Sequence, residues 1–303
     1  MKKLKKAAII GYGSIGKKHA EILSKLKIFN KIYIITNQKV NSNFKKINSL
    51  NHLKNIDPDY FLICSETKKH YNQLKYIVNN FRKKIIFVEK PLYERNYKLK
   101  LNNNKVFIGY NFRFHPIIKY LKNFLKNKKI LSATVLCGSF LPYWRKNILY
   151  NKSYSSDKRR GGGVLLDLSH EFDYVKWILG PIVKKYFSYK KISNLKISSN
   201  DFMSFIGTSK KAKYILINLD YFSKIPKRQI IFESNNFSLH ADLINNYIKI
   251  KKFEKNKLIK FSSLSNKKSY IFQHMNILNN KKKIACSYNE AIKLTNFFSN
   301  IQK

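Results

Sequence analysis

The sequence predicts an α/β protein of two parts: an N-terminal doubly wound parallel sheet, then a C-terminal α+β domain on an open, mostly antiparallel sheet. Three observations carry this. Short apolar runs alternate with helical patterns over the first third of the chain. A glycine-rich turn stands between the first run and the first helix. From about 184 to 262 the helical spacing gives way to strand after strand.

The elements follow in order. LKKAAII (4–10) reads as a strand. Ser14 to Leu26 reads as a helix, with Ile15, His19, Ile22, Leu23 and Leu26 at helical spacing. KIYIIT (31–36), DYFLICS (59–65), KIIFVE (84–89) and KVFIGYN (105–111) read as strands, and Thr67 to Asn79 as a helix. Such repetition implies right-handed crossovers and a parallel sheet. After Pro116 come a helix to Lys126, the strand ILSATVLCGSF (130–140), three glycines and a helix over 163–179. The segments DFMSFIGT, KYILINLDYF, QIIFESNNFSLHAD, YIKIKKFE and KLIKFSS are strands parted by hairpin-like turns. Helices near 268–279 and 289–301 end the chain. The expected division is 1–117 and 118–303, with the last helix free to pack back on the first part.

With 303 residues, 44% of them hydrophobic, the chain can bury two cores. Its net charge of +45 invites a nucleic-acid reading. Only seven of the 61 basic residues are arginine, the usual bidentate reader of bases and phosphates. The lysines are scattered, and abundant Asn and Ile with scarce Ala suggest a compositional bias. A solvated lysine surface is the plainer account, and no specific nucleic-acid partner is expected. An anionic partner is the other account, and either way the charge raises on-rates for anions at low salt.

Cys64, Cys137 and Cys286 are widely spaced and odd in number, so they build neither a disulfide framework nor a zinc site. No metal is expected. The apolar run AAII is too short for an export signal, and no stretch approaches the roughly 18 apolar residues of a membrane span. The expectation is a soluble cytoplasmic protein in a reducing compartment.

Gly11-Tyr12-Gly13-Ser14-Ile15-Gly16 is G-x-G-x-x-G between a strand and a helix, the context in which that pattern binds a dinucleotide. Gly11 would make the tight turn, Gly13 would admit a pyrophosphate to the backbone, and Gly16 would let helix and strand pack closely. The helix N-terminus offers its unpaired N–H groups to the phosphates. An acidic residue about 20 positions on commonly binds the ribose of NAD. Here Thr36-Asn37-Gln38-Lys39 fill that place, and 31–46 contain no carboxylate. Nothing repels a 2′-phosphate and Lys39 attracts one, which tilts the cofactor slightly toward NADP, with NAD open.

Further segments carry a resemblance. Ile63-Cys64-Ser65-Glu66-Thr67 precedes His70. Val88-Glu89-Lys90-Pro91 follows a strand, and Gly109-Tyr110-Asn111-Phe112-Arg113-Phe114-His115-Pro116 ends the first part. SFLPYW (139–144), Ser153-Tyr154-Ser155 and GGGVLLDLSHEFDYVKWILG complete the set. From about residue 7 to 299 the chain resembles the Gfo/Idh/MocA oxidoreductases, and a branch associated with surface-polysaccharide biosynthesis. The resemblance implies a nucleotide-binding domain and a second domain whose sheet supports substrate on one face and often oligomerisation on the other. It implies NAD(P)-dependent oxidation or reduction of sugars, amino sugars or polyols, in a homo-oligomer such as a dimer or tetramer. It assigns cofactor contacts to Cys64, Ser65, Glu66, His70, Glu89 and Lys90. It places Lys90 near the nicotinamide and the reacting oxygen, and Asn111 and Arg113 near the substrate cleft.

Oxidising an alcohol also needs a base titrating near neutrality, for which histidine is suited. On a helix over 163–179, Asp167 and His170 share a face. His170 could exchange the proton, while Asp167 could orient it or bind a substrate hydroxyl. Asp173 could hold the other ring nitrogen or cap a neighbouring group. A buried histidine satisfied by a neighbouring carboxylate is the alternative. The family commonly writes D-x-G-x-H, whereas here the two are three apart, a rotation of about 100° on a helix. His170 keeps its distance to Asp173, so Asp167 is the displaced partner. Tyr143, Trp144 and Arg145 suit a sugar face and an acidic group. Arg113 would grip an anionic group of the substrate or tie the domains.

The expected substrate is a small sugar-like molecule, with nucleotide-linked or acidic forms included. Two other classes remain: a dinucleotide-binding regulator without turnover, which would need neither Lys90 nor His170, and a basic polyanion-binding protein, which would cluster its lysines on one face.

Overall fold

The computed structural model describes residues 6–145, 148–279 and 284–302. The first two residues of the expected strand 4–10 lie outside the described residues. The chain opens with β1 (Lys6–Ile10), α1 (Ser14–Lys25), β2 (Lys31–Ile35), β3 (Lys45–Ile47), α2 (Leu53–Ile56), β4 (Tyr60–Ile63), α3 (Thr67–Asn80), β5 (Ile85–Val88) and β6 (Lys105–Ile108). It continues with α4 (Pro116–Phe124), β7 (Ile130–Gly138), α5 (Val164–Asp167), α6 (His170–Leu179), β8 (Ile182–Lys190), β9 (Phe202–Ser209) and β10 (Ala212–Asp220). Then come β11 (Lys227–Ser234), β12 (Phe237–Asp242), β13 (Tyr247–Lys252), β14 (Lys255–Lys260), α7 (Ser265–Leu278), β15 (Cys286–Ser287) and α8 (Tyr288–Ile301).

Packing divides the chain into two units. The first is Met1–Asn111 with Tyr270–Phe297, and the second is Phe112–Ser269 with Phe298–Lys303. The first unit carries a seven-stranded sheet in the order β15-β6-β5-β4-β1-β2-β3. Every neighbouring pair runs parallel except β15 on β6. All four residues of β4 are buried, as are the last four of β1 and the last three of β5 and β6. That is the signature of strands covered on both faces. The order reverses direction at β1 and β4, so the crevice at their carboxyl ends is where such sheets take ligands. The turn at Gly11 stands at that point, directly after β1.

The second unit carries an eight-stranded sheet in the order β14-β13-β12-β11-β7-β10-β9-β8. Only β7 and β10 run parallel; the other neighbours are antiparallel. Burial alternates along β7, β9 and β10, so one face is covered and the other less so. Pro116 opens α4 at the position where its missing N–H costs nothing.

Several features differ from the sequence reading, α2 and the early end of β6 at Ile108 among them. The helix expected over 163–179 is two helices, α5 and α6, parted at Leu168 and Ser169; Leu168 has φ −100 and ψ 29, outside helical values. β3 and β15 have three and two residues, too few for any periodicity to register. Short 3-10 turns at Leu141–Tyr143, Tyr150–Lys152, Tyr154–Ser156 and Lys158–Arg160 follow β7. No helix among the described residues is long and apolar enough to cross a membrane.

Candidate active site

The glycine turn distributes its three glycines by physical need. Gly11 has φ +95, a conformation that side chains other than glycine strain to adopt. A Cβ there would also meet the backbone of Cys64 and Ser65 at 2.8–2.9 Å. At Gly16 a Cβ would drive into the carbonyl oxygen of Gly11. At Gly13 a Cβ would find nothing within 4 Å. The first and third glycines are therefore filled by the protein itself, and the second faces open space. Gly13 caps α1 without a side chain, so the first N–H groups of Ser14, Ile15 and Gly16 receive no side-chain cap. Tyr12 is buried, edge-on to Phe44.

At the end of β2, Asn37, Gln38 and Lys39 are exposed and Thr36 is half-buried. Thr36 Oγ1 accepts from the Gln38 N–H at 3.1 Å. After β4, Ser65 Oγ donates to Gln73 at 2.6 Å, and Glu66 is the extended residue that opens α3. Cys64 is buried against the glycine turn, and burial raises its thiol well above the ordinary range. His70 is also buried. Its Nε2 faces the Ser65 carbonyl at 3.0 Å, and its Nδ1 faces the carbonyls of Pro91 and Leu92 at 3.1 and 3.2 Å. Burial lowers its pKa even so. Its ring nitrogens thus face the backbone that follows β4 on one side and the backbone that follows β5 on the other. In that segment Glu89 accepts from the Lys90 N–H at 3.2 Å and contacts His19 Nε2 at 2.8 Å, while the Lys90 side chain is half-buried. Asn111 is buried at the end of the first of the two stretches that make up the first unit.

In the second unit the glycine segment leads into α5. Gly163 has φ +126, and a Cβ there would strike the Tyr189 hydroxyl. Asp167 ends α5 buried. Tyr154 donates to its Oδ1 and Tyr221 to its Oδ2, each at 2.5 Å. Burial, and then the Asp167 charge, raise both phenols well above their ordinary range, so both stay donors. His170 starts α6, and its ring meets the edge of Phe112 at 4.9 Å. Asp173 is gripped by Arg113: Nη2 reaches Oδ1 at 2.7 Å and Nε reaches Oδ2 at 2.9 Å, with both side chains buried. Of the two roles open to Asp173, the structure supplies a contact with a neighbouring cation. The Arg113 partner lies within the same unit.

The sequence reading missed a second ion pair, between a half-buried arginine and the fully buried Glu171. Arg228 on β11 reaches Glu171 at 2.8 Å and Cys137 Sγ at 3.3 Å, and its guanidinium lies over Phe112 at 4.6 Å. Phe112 thus touches both Arg228 and His170. His115 stacks on Phe112 at 5.7 Å and is fully buried. Burial, and secondly Arg228, lower it to about 4. A charged pair in the linear sequence could not have been matched, because Glu171 and Arg228 belong to a helix and a strand far apart in the chain. Trp144 Nε1 donates to Ser139 at 2.8 Å, and its ring is edge-on to Tyr221 at 5.1 Å. Tyr143 is exposed, and Arg145 lies over Tyr154 at 5.1 Å.

Elsewhere in the second unit, Lys128, Lys129, Lys210, Lys211, Lys213 and Lys252 line one hollow. Among the described residues no group of three or more His, Cys, Asp or Glu is gathered for a metal.

A dinucleotide fits the first unit on these observations: a glycine with open space beside it, an uncapped helix start, and a position at the sheet's reversal point. Residues 5–100 match the Gfo/Idh/MocA model, described as an oxidoreductase family with an NAD-binding Rossmann fold. No curated protein matches the chain. The dehydrogenase MviM from Clostridium difficile is similar in structure, with TM-score 0.75 and 18% identity over 98% of each chain. The WlbA dehydrogenase from Bordetella pertussis, solved with NADH and UDP-GlcNAcA, has TM-score 0.82 and 13% identity over 100% of this chain and 95% of that one. UDP-N-acetylglucosamine 3-dehydrogenase from Acidithiobacillus ferrooxidans has TM-score 0.76 and 13% identity over 98% and 96%. At these identities the likeness establishes the fold: an N-terminal Rossmann sheet followed by a largely antiparallel second sheet.

Proposed function

We propose that this chain, whose residues 5–100 match an NAD-binding oxidoreductase model, is itself an NAD(P)-dependent oxidoreductase. It moves a hydride between the cofactor and a secondary hydroxyl or carbonyl of a sugar, amino sugar or related polyol. The observation that carries the reading is the division of labour in the glycine turn: Gly11 and Gly16 are filled by protein, and Gly13 is left open. The open space beside Gly13 leaves the uncapped start of α1 accessible to a phosphate.

When bound, the nicotinamide supplies the hydride acceptor or donor. Gly11, Gly13 and Gly16, with the N–H groups that open α1, hold the pyrophosphate. Thr36 and Asn37 meet the adenosine ribose. With no carboxylate in 31–46 and Lys39 exposed, a 2′-phosphate is tolerated, so NADP binds at least as well as NAD.

Lys90 places a cation at the reacting oxygen. That favours the alkoxide during oxidation and polarises the carbonyl during reduction. His170 exchanges the hydroxyl proton. Asp167 acts beside it as a fixed charge, its oxygens accepting from Tyr154 and Tyr221. Arg113, held by Asp173, and Trp144 belong to the substrate's surroundings. An anionic or nucleotide-linked sugar suits a chain of net charge +45. The UDP-linked ligand of the Bordetella structure and the UDP-sugar in the Acidithiobacillus enzyme's name point to the same class.

The test is dinucleotide reduction or oxidation over free hexoses, amino sugars, hexuronic acids and their UDP-linked forms. Lys90→Ala and His170→Ala should each abolish turnover while dinucleotide binding stays measurable. Wild-type rates in either variant remove that residue from the mechanism. Tight dinucleotide binding with no turnover on any sugar favours a non-catalytic regulator.

A further inference from the structure

The first unit holds a line of buried polar side chains that the chemistry above does not use. Tyr60 on β4 places its hydroxyl 2.9 Å from Nδ1 of His274 on α7. Nε2 of His274 lies 2.8 Å from Nδ1 of His19 on α1. Nε2 of His19 lies 2.8 Å from Oε1 of Glu89, and Oε2 of Glu89 accepts from the Lys90 N–H. Tyr60, His274 and His19 have no solvent exposure, and Glu89 has little. Water does not compete for these contacts.

The ends of the line set its direction. Among the described residues the Tyr60 hydroxyl has Nδ1 of His274 as its hydrogen-bond partner. It donates there, so that nitrogen carries no proton. Nε2–H of His274 then donates to bare Nδ1 of His19, and Nε2–H of His19 donates to Glu89. Every donor meets an acceptor when both imidazoles are neutral and Glu89 is a carboxylate. Burial, and secondly His19, hold His274 well below its ordinary pKa, in keeping with a neutral ring. Reversing the line would turn a donor toward Tyr60 and leave its hydroxyl without an acceptor. The line is a dead end for a proton and a one-way brace for the carboxylate.

The surroundings fit a brace. A Cβ at Gly109 would meet Glu89 Oε1 at 2.7 Å, so glycine makes room for the carboxylate. On the far side of Lys90, His70 faces the carbonyls of Pro91 and Leu92. The segment bearing Lys90 is thereby held from α1 and α7 through Glu89, and from α3 through His70.

We infer that Tyr60, His274 and His19 are positioning residues for Lys90: they fix the Glu89 carboxylate against the Lys90 amide and so set where the Lys90 side chain stands. This rests on the reading in which Lys90 acts at the reacting oxygen.

The test compares His274→Gln, His274→Leu, Tyr60→Phe and Lys90→Ala. A glutamine amide offers an acceptor and a donor in the same order as the neutral ring, but it cannot pass a proton on. With the best sugar of the panel, His274→Leu should lower kcat at least tenfold, with KM and the dinucleotide Kd within threefold of wild type. His274→Gln should recover most of that loss. On the protein without substrate, amide exchange in the peptide spanning Glu89 to Leu92 should quicken at least tenfold in His274→Leu and Tyr60→Phe, but not in His274→Gln. Nitrogen-15 spectra should show His274 and His19 as Nε2–H tautomers. Unchanged exchange in a folded His274→Leu, an Nδ1–H tautomer at His274, or a His274→Gln variant as slow as His274→Leu overturns the inference. A fully active Lys90→Ala removes the Lys90 reading and this inference with it. An inactive Lys90→Ala beside a fully active His274→Leu removes this inference alone.

Discussion

Arg113 holds Asp173 with two guanidinium nitrogens, at 2.7 and 2.9 Å, and both side chains are buried. Removing one partner of such a pair strands the other charge, at a cost of about 3–5 kcal/mol. Asp173→Leu should therefore destabilise the chain by about that much in urea unfolding. Replacing both, as Arg113→Met with Asp173→Leu, should recover much of the loss. A single variant within about 0.5 kcal/mol of wild type would show that the pair is not desolvated.

The two phenols on Asp167 give a second prediction. Hydrogen bonds to a charged group contribute about 1.5–3 kcal/mol each. Tyr221→Phe should lower stability by about that amount while leaving the dinucleotide Kd unchanged, because Tyr221 belongs to the second unit. A Kd shift of tenfold or more would contradict it.

The glycine turn predicts a split between stability and binding. Gly13→Ala has a compatible φ of −71 and open space, so the fold should be unaffected. Dinucleotide binding should weaken at least tenfold, because the added methyl occupies the approach to the backbone. Gly16→Ala should instead cost stability, by about 1–3 kcal/mol as in other overpacked sites. Fluorescence titration and thermal unfolding separate the two, and equal binding by wild type and Gly13→Ala would reject the assignment.

His115 predicts a pH dependence. Burial, and secondly Arg228, lower its pKa to about 4 in the folded chain, below its ordinary value of 6.5. Between those values the unfolded chain binds more protons than the folded one, so stability rises with pH across the window and falls on acidification. The loss from this group approaches about 3 kcal/mol at the acid end. His115→Leu should flatten the stability profile between about pH 6.5 and pH 4. An unchanged profile would show that the buried imidazole is not the titrating group.

Much of the architecture was legible because it is written locally. The strand–helix alternation of the first third, the strand run after residue 184 and the closing helices all appear near their expected positions. The glycine turn was legible for the same reason: its three spacings fix which backbone atoms crowd each position. The continuous helix over 163–179 was not borne out, since apolar spacing looks the same whether or not Leu168 leaves helical values. The strand β15 escaped notice because two residues carry no period, and only the edge of β6 makes them a strand.

By itself, then, the sequence determined the order of elements, the two sheets and the turn at Gly11, since each depends on residues a few positions apart. Only the tertiary structure decided which side chains answer one another. Asp167 and Tyr221 are 54 residues apart, Arg113 and Asp173 are 60 apart, and His19 and His274 are 255 apart. Those pairings follow from sheet order and helix placement, which bring distant groups into a low-dielectric interior where a buried polar atom must find a partner. No local pattern encodes that choice.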